Sequence, residues 1–176
     1  FKVQQEKIEE VAFEYNGFNF RKTAKGYKVE IFINQNKNPS YFTIRSDPRE
    51  LANIPVDIDV SALKEKKQVY AVIDPGENLT GVAVMAVLEL ENVVENQFLY
   101  NIPLNSAFIR EHPGKEMEVK TCRDANETVA IVWFRLGEAT RVAYEGGCIV
   151  IEAPVEDDLI KAANRLTLTM LGVLPQ

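Results

Sequence analysis

The chain has 176 residues, which suffices for one ordinary domain or for a small module joined to a second. Hydrophobic residues make up 46% of it, so wholesale disorder is excluded, and no apolar run approaches the length of a membrane span. Residues 1–68 contain 12 Lys and Arg against 10 Asp and Glu, whereas residues 69–176 contain 8 against 16. Because affinity for phosphate comes mainly from basic side chains, the acidic second part argues against a self-sufficient nucleic-acid binder.

The first part of the chain is predicted to be rich in β-strands. A helix is predicted near residues 4–13. Alternating apolar and polar residues at 27–33 and 40–45 flank a cluster of turn residues, which indicates a β-hairpin. A further extended stretch covers residues 54–60, and the charged segment 64–67 is the predicted border between two modules.

The second part is predicted to be an α/β domain with a mixed sheet. Residues 69–73 are continuously apolar, as is typical of a strand buried on both faces. The predicted elements in chain order are strands at 69–73, 81–90 and 96–102, a helix that starts near Asp124 and stops at Gly146 and Gly147, a strand at 148–151, and a helix at about 157–171.

Acidic residues follow two of the predicted buried strands. Asp74 comes directly after the first strand and Glu152 after the last. If these strands are neighbours in the sheet, both carboxylates project from the same edge, and Asp157 or Asp158 adds a third acid at the start of the final helix. Gathered carboxylates repel one another unless a cation intervenes. The pattern therefore predicts a phosphodiesterase site with two Mg²⁺ ions roughly 4 Å apart, one activating water and the other stabilising the leaving 3′ oxygen.

Each of these acids also has a structural explanation. Asp74 begins the turn tripeptide Asp-Pro-Gly. Asp157 and Asp158 precede a helix, where an acid serves as an N-cap or as a partner of the helix dipole. Glu152 is less ordinary, because unpaired carboxylates avoid the ends of buried strands, and a functional and a structural role stay equally open for it.

Three segments together resemble the motifs of a RuvC-like nuclease domain, which belongs to the RNase H superfamily. Residues 73–84 (Ile-Asp-Pro-Gly, then Gly-Val-Ala-Val) are similar to the first motif, residues 149–152 (Ile-Val-Ile-Glu) to the second, and residues 158–164 (Asp-Leu-Ile-Lys-Ala-Ala-Asn) to the third. The form of the third motif is typical of type V CRISPR effectors and their TnpB relatives. The resemblance covers about residues 69–171.

The resemblance implies a fold and a set of site residues. The fold would be an RNase H-like mixed sheet with flanking helices at 69–176, preceded by a small β-rich, wedge-like module at 1–68. The catalytic and metal-binding residues would be Asp74, Glu152 and Asp158, holding two Mg²⁺ ions for which Mn²⁺ can substitute.

The spacing of the second and third motifs departs from the family. Only five residues separate Glu152 from Asp158, where the family needs a helix and a further strand. We therefore expect segments of a longer chain to be missing near 153–157 and near 112–120.

The function that the resemblance implies is RNA-guided, metal-dependent endonuclease activity. The partners would be a guide RNA, alone or with a second RNA, and target DNA, with a monomeric protein in a ribonucleoprotein and no membrane association. Two alternatives stay open. One is a guide-independent, resolvase-like DNA endonuclease, and the other is a catalytically inactive RNase H-like module that binds nucleic acid.

A basic cluster in the first part could contact RNA phosphate. It is formed by Arg21, Lys22, Lys25 and Lys28, among the aromatic residues Phe18, Phe20 and Tyr27. The alternative is a solvated face of a hairpin.

Three less common residue types add smaller expectations. His112 is the only histidine and adjoins a Pro-Gly turn, so a surface loop is expected and triad-type catalysis is not supported. Trp133 is expected in the core, on the apolar face of a helix. Cys122 and Cys148 cannot form a zinc site alone and suggest no disulfide framework, so a reducing, cytoplasmic setting is expected. The resemblance to type V CRISPR effectors implies that this cytoplasm is that of a prokaryote.

Overall fold

The computed structural model describes residues 11–176 of the chain. The strands of this part are β1 (Val11–Tyr15), β2 (Phe18–Thr23), β3 (Gly26–Ile31), β4 (Ser40–Ile44), β5 (Val56–Asp57), β6 (Gln68–Ile73), β7 (Leu104–Phe108), β8 (Val129–Leu136), β9 (Arg141–Glu145) and β10 (Cys148–Ala153). The helices are α1 (Val60–Leu63), α2 (Gly81–Val94) and α3 (Glu156–Met170). Two single 3₁₀ turns lie at Pro48–Glu50 and Cys122–Asp124.

The first sheet is antiparallel, with the strand order β1-β2-β3-β4. Its inner face is apolar because alternate residues point the same way, and Phe20, Val29 and Phe42 are buried register partners on three neighbouring strands. The predicted hairpin at 27–33 and 40–45 is confirmed as β3 and β4. The helix predicted near 4–13 is wrong where it can be compared, since residues 11–13 belong to β1; residues 4–10 lie outside the described part.

The second sheet is mixed, with the strand order β5-β9-β10-β8-β6-β7. The neighbours β10, β8, β6 and β7 run parallel, whereas β9 runs antiparallel to β10. The predicted mixed-sheet α/β class is therefore confirmed, as are the buried strands predicted at 69–73 and 148–151.

Helix α3 lies between the two sheets. Ten of its residues are buried, from Leu159 to Met170, and they surround the helix rather than forming one stripe. One apolar core accordingly runs from the first sheet, through α2 and α3, to the second sheet. The final predicted helix is thus confirmed. The division into two modules at residue 68 stays a prediction. Strand β5 precedes that border in the sequence and pairs with β9 of the second sheet.

A polar bridge inside this core connects three elements. The side chain of Asn164 on α3 accepts a hydrogen bond from the backbone N–H of Ser46, 3.0 Å away, and donates one to the carboxylate of Glu89 on α2. A buried polar group is costly unless it is hydrogen-bonded, so this bridge fixes how the end of the first sheet sits on the helix pair.

The strand predicted at 81–90 is wrong, because this segment is helix α2. Thr80 caps it, its hydroxyl accepting from the N–H of Val82 at 3.3 Å. The buried residues Ala83, Ala86, Val87 and Leu90 follow helical spacing, but Val84 and Leu88 on the outer side are also apolar and hide that period in the sequence.

The helix predicted from Asp124 is also wrong, because its residues form β8 and β9. Its β-branched and aromatic residues suit a strand, and β8 is paired on both sides, with β6 and β10. Gly146 and Gly147, at φ values of 60° and 95°, form the turn between β9 and β10 rather than a helix stop. The strand predicted at 96–102 is replaced by a turn, and the strand itself comes later, as β7.

Residues 109–128 lie between β7 and β8, and we call them the strap. Ile109, Cys122 and Ala125 of the strap pack on the second face of the second sheet, against a small buried cluster. The cluster comprises Val72, Ala107, Ile131, Cys148 and Val150, with Trp133 at its side. A disulfide joins Cys122 to Cys148, so the expectation of no disulfide is wrong. Trp133 does contact this core, from a strand instead of a helix.

Candidate functional site

The candidate site lies where β6 and β8 end. The chain leaves β6 through α2 towards β7 on one side, whereas β8 is followed by β9 and β10 on the other side. In open α/β sheets, the carboxyl ends of strands at such a reversal form the usual crevice for ligands. Asp74 follows β6 at this point, and Gly137 follows β8.

Asp74 is held in its turn by one backbone group and one arginine. Its Oδ1 accepts from the N–H of Gly76 and from Nε of Arg110, both at 2.8 Å. A Cβ on residue 76 would overlap the guanidinium of Arg110, so glycine at this position leaves room for the ion pair. The arginine side chain is 58% exposed, which makes this a surface pair of modest energy.

Glu152 is buried and bound by two arginines. Its Oε1 accepts from Nε and Nη2 of Arg135 at 3.1 and 3.0 Å, and its Oε2 accepts from Nε of Arg141 at 2.6 Å. Both arginines are its register partners, on β8 and β9, so all three side chains share the strap side of the sheet. A Cβ on Gly137 would overlap the Glu152 carboxylate.

A second glutamate closes the network. Oε2 of Glu145 accepts from Nη2 of Arg135 and from Nη2 of Arg141, each at 2.9 Å. The hydrogen bond from Arg135 holds the pKa of Glu145 below its usual value, and the bond to Glu152 raises the pKa of Arg141. Arg135 also stacks on Trp133, with its guanidinium carbon 4.8 Å from the ring centroid.

Glu77 links the ends of β6 and β8, and the sequence did not predict it as a site residue. Its Oε2 accepts from the backbone N–H of Leu136 at 3.1 Å. Burial raises the pKa of Glu77 above its usual value, and the nearby charge of Asp74 raises it further. The one signal for it in the sequence is its place directly after the Asp-Pro-Gly turn.

The acids at the start of α3 have structural partners. Asp158 lies in the first turn, 3.2 Å from Nζ of Lys161, and the residue at the N-cap, Val155, provides no side-chain cap. Asp157 and Asp158 thus match the predicted dipole role rather than that of an N-cap. Glu156 instead binds the N-cap residue of α2, accepting from the backbone N–H and the hydroxyl of Thr80 at 2.6 and 2.9 Å.

The three predicted acids, as placed, do not fit a pair of Mg²⁺ ions. Asp74 and Glu152 do lie at the same edge, but β8 separates their strands, which puts them roughly 10 Å apart. Arg135 fills the position between them. Among residues 11–176, no three His, Cys, Asp or Glu side chains are grouped so that they could hold a metal. The catalytic and metal-binding roles of Asp74, Glu152 and Asp158 therefore stay a prediction.

A second candidate site is the outer face of the first sheet. Arg21 and Lys28 are register partners there, and Asn19, Glu30 and Tyr41 form the next row. These five side chains line an open cavity of about 670 Å³. Tyr41 is 57% exposed, and Nζ of Lys28 lies 5.5 Å from the centroid of its ring.

Two of the aromatic residues that the sequence placed with this basic cluster lie on the core side of the sheet: Phe20 is buried there, and Phe18 packs against the same core. Tyr27 is partly buried against that core but also lies beside the cluster, with Nζ of Lys22 5.9 Å from the centroid of its ring. Tyr41 is a further aromatic side chain at the cluster, which the sequence did not predict because it lies on the next hairpin strand. His112 lies in the strap, in a loop as predicted.

The chain has no match among protein-family models, curated proteins or solved structures. In the part that the structure describes, none of the helices has the length and apolar character needed to cross a membrane.

Proposed function

We propose that the chain is a binding module for single-stranded nucleic acid, which uses the outer face of the first sheet. The observation that carries this proposal is the placement of Arg21 and Lys28 opposite each other, beside the exposed ring of Tyr41. It shares nucleic-acid binding without catalysis with the second of the two alternatives that the sequence leaves open, but it assigns the binding to the first sheet and not to an RNase H-like module.

The charge of the β2–β3 hairpin supports a polyanionic partner. Residues 18–28 include four cations and no acid, although the whole chain has a net charge of −6. All four cationic side chains are exposed, with Arg21 and Lys28 on the outer face, Lys25 in the turn, and Lys22 over the ring of Tyr27 on the other face. Binding would therefore depend on this local patch, with the acidic remainder of the molecule facing away from the phosphates.

The exposed aromatic side chains support a single strand rather than a duplex. Tyr41 and Phe32 are each 57% exposed, on and next to the outer hairpin strands. A base that stacks on such a ring contributes about 1–3 kcal/mol, but only unpaired bases can present their faces to it. Nζ of Lys28 lies over the Tyr41 ring, 5.5 Å from its centroid, so a nucleotide stacked on this ring would lie next to a cation.

Glu30 limits where the strand can run. It is the register partner of Tyr41, and Glu14 lies in the same row of the outer face. Carboxylates repel phosphate. The phosphate backbone of the ligand would therefore follow the Arg21–Lys28 row, with the base on the Glu30 side.

The nuclease hypotheses and the RNase H-like identity of the second sheet stay predictions. The position of Asp74 and Glu152 at one sheet edge supports them. Two features weigh against them. Helix α2 stands where a second strand is predicted, and Arg135 lies between the two acids.

Fluorescence anisotropy with a labelled single-stranded oligonucleotide of roughly 16 nucleotides tests the binding proposal, since one sheet platform of this type spans up to about that length. We expect R21E/K28E to weaken binding about tenfold or more in low salt, and to flatten its salt dependence. The matched control is K115E/R123E, which makes the same charge change on exposed residues of the strap. Equal losses in the two variants, or no binding by the unmodified chain, would refute the proposal.

A further inference from the structure

Both ends of the strap are hydrogen-bonded to β6 or its start: the amide of Ile109 donates to the carbonyl of Ile73 at 3.0 Å, and the carbonyl of Thr128 accepts from the amides of Lys67 and Gln68 at 2.8 and 3.2 Å. The amide of Phe108 donates to the carbonyl of Glu118, and the amide of Lys120 donates to the carbonyl of Phe108, both at 2.9 Å. Near its other end, the amide of Asn126 donates to the carbonyl of Val129 at 3.0 Å. The middle of the strap, residues 113–118, is exposed.

The disulfide joins the turn between these points to the sheet. Within the turn, the hydrogen bonds of Thr121, Arg123 and Asp124 are made among themselves. Cys122 is bonded to Cys148 at the start of β10, and its carbonyl lies against Gly147. Release of this bond would leave the turn held on the sheet by the apolar contacts of Cys122 and Ala125.

The two cysteines differ in exposure. Cys148 is 0% exposed, whereas Cys122 is half-buried in a turn whose next two residues, Arg123 and Asp124, are exposed. Cys122 is thus the more exposed partner, and attack by a thiolate from solvent is expected at its Sγ.

We propose that the Cys122–Cys148 bond is a thiol–disulfide exchange site, and that its reduction by a dithiol releases the turn around Cys122, and with it the adjoining part of the strap, from the second face of the sheet. The first thiolate of the dithiol attacks Cys122 Sγ. The disulfide bond breaks, a mixed disulfide forms at Cys122, and Cys148 leaves as a thiolate that takes up a proton. The second thiol of the dithiol then displaces Cys122 as a free thiol and becomes oxidised to a cyclic disulfide, so two electrons pass to the protein.

Burial of Cys148 couples this chemistry to movement of the strap. A thiolate in an apolar cluster is unfavourable, so the leaving sulfur is stabilised only when water reaches it. Lifting of the turn at Cys122 admits that water and uncovers Ile131 and Val150. Reoxidation reverses the step and closes the strap again.

Hydrogen exchange measured by mass spectrometry tests the proposal on the unmodified chain, with and without dithiothreitol. We expect amides of residues 118–126 to exchange about tenfold faster or more after reduction, while β8 and β10 keep their protection. The variant C122S/C148S should match the reduced protein and show no response to dithiothreitol. Trp133, the only tryptophan of the chain, lies beside the covered cluster and should become more accessible to acrylamide.

Each contrary outcome overturns a defined part of the proposal. Unchanged exchange in residues 118–126 of the reduced protein would show that the bond does not control the strap. Loss of protection in β8 and β10 as well would show that the disulfide maintains the whole fold. A bond that dithiothreitol reduces only after denaturation would exclude exchange in the native state.

Discussion

The guanidinium of Arg135 lies against the carboxylate of Glu152, with Nε and Nη2 at 3.1 and 3.0 Å from Oε1. The sequence pattern predicts a bound metal cation beside these acids. The chain itself supplies a cation next to Glu152, from the strand between the two acids. Glu152 is only 6% exposed, and its two carboxylate oxygens are bound by this arginine and by Arg141.

Arg135→Ala should lower the free energy of unfolding by about 3 kcal/mol, since removing one partner of a buried ion pair leaves the other partner with fewer compensating contacts. Urea denaturation measures the loss. Arg123→Ala, which removes an exposed arginine of the strap, should change stability by no more than about 0.5 kcal/mol. Equal effects of the two substitutions would mean that the Arg135–Glu152 pair contributes nothing.

Gly137→Ala should cost about 1–3 kcal/mol, because its methyl group would occupy the space of the Glu152 carboxylate. In a Glu152→Ala background the same substitution should cost much less, and the double-mutant cycle gives the difference. Gly81→Ala is the matched control, since a Cβ there meets no neighbouring atom. A cost at Gly137 that is independent of residue 152 would contradict the overlap.

Glu89 should make the stability depend on pH. Burial raises its pKa above the usual 4.5, so the folded state holds this proton more tightly than the unfolded state. Its contribution to stability is full below the unfolded pKa and is lost as the pH rises through the folded pKa. Glu89→Gln keeps an acceptor for Asn164 and abolishes the titration.

The measurement for Glu89 is urea unfolding of both proteins from about pH 4 to about pH 8, a range that covers shifted carboxyl groups. The stability of the Gln variant relative to the unmodified chain should rise with pH and then level off. A difference that is constant across this range would show that Glu89 has the same pKa in both states.

Isothermal titration calorimetry with Mg²⁺ or Mn²⁺ should show no specific binding to the chain, since arginines occupy the oxygens of Glu152 and Asp74 is paired with Arg110. A heat of binding that disappears in Asp74→Ala would contradict this expectation. It would support the nuclease hypothesis, for which loss of Mg²⁺-dependent cleavage in the same variant is the direct assay.

The elements that the sequence predicts correctly are those with an unambiguous pattern. Strands β3 and β4 alternate cleanly, and β6 and β10 are short and uniformly apolar. The prediction for α2 is wrong because Val84 and Leu88 are apolar although they are exposed, so the sequence lacks the hydrophobic period that marks a helix. The prediction for β8 is wrong because an apolar run of this length is compatible with either a helix or a strand.

The candidate site shows the consequence of that last ambiguity. The sequence correctly places Asp74 and Glu152 at one sheet edge. With β8 assigned to a helix, however, nothing in the sequence puts Arg135 between them. Which charges meet depends on strand order, a property of the whole sheet that local patterns do not contain.

The position of α3 between the two sheets also orders events during synthesis. The inner face of the first sheet, complete in sequence at Ile44, shares its core with both α2 and α3, so its cover is complete only when α3, up to Met170, has been made. At translation rates of about 5–20 residues per second, the nascent sheet waits roughly 6–25 s for the last part of this cover. On the ribosome, the hairpin sheet therefore presents apolar surface that a chaperone can bind until synthesis reaches the end of α3.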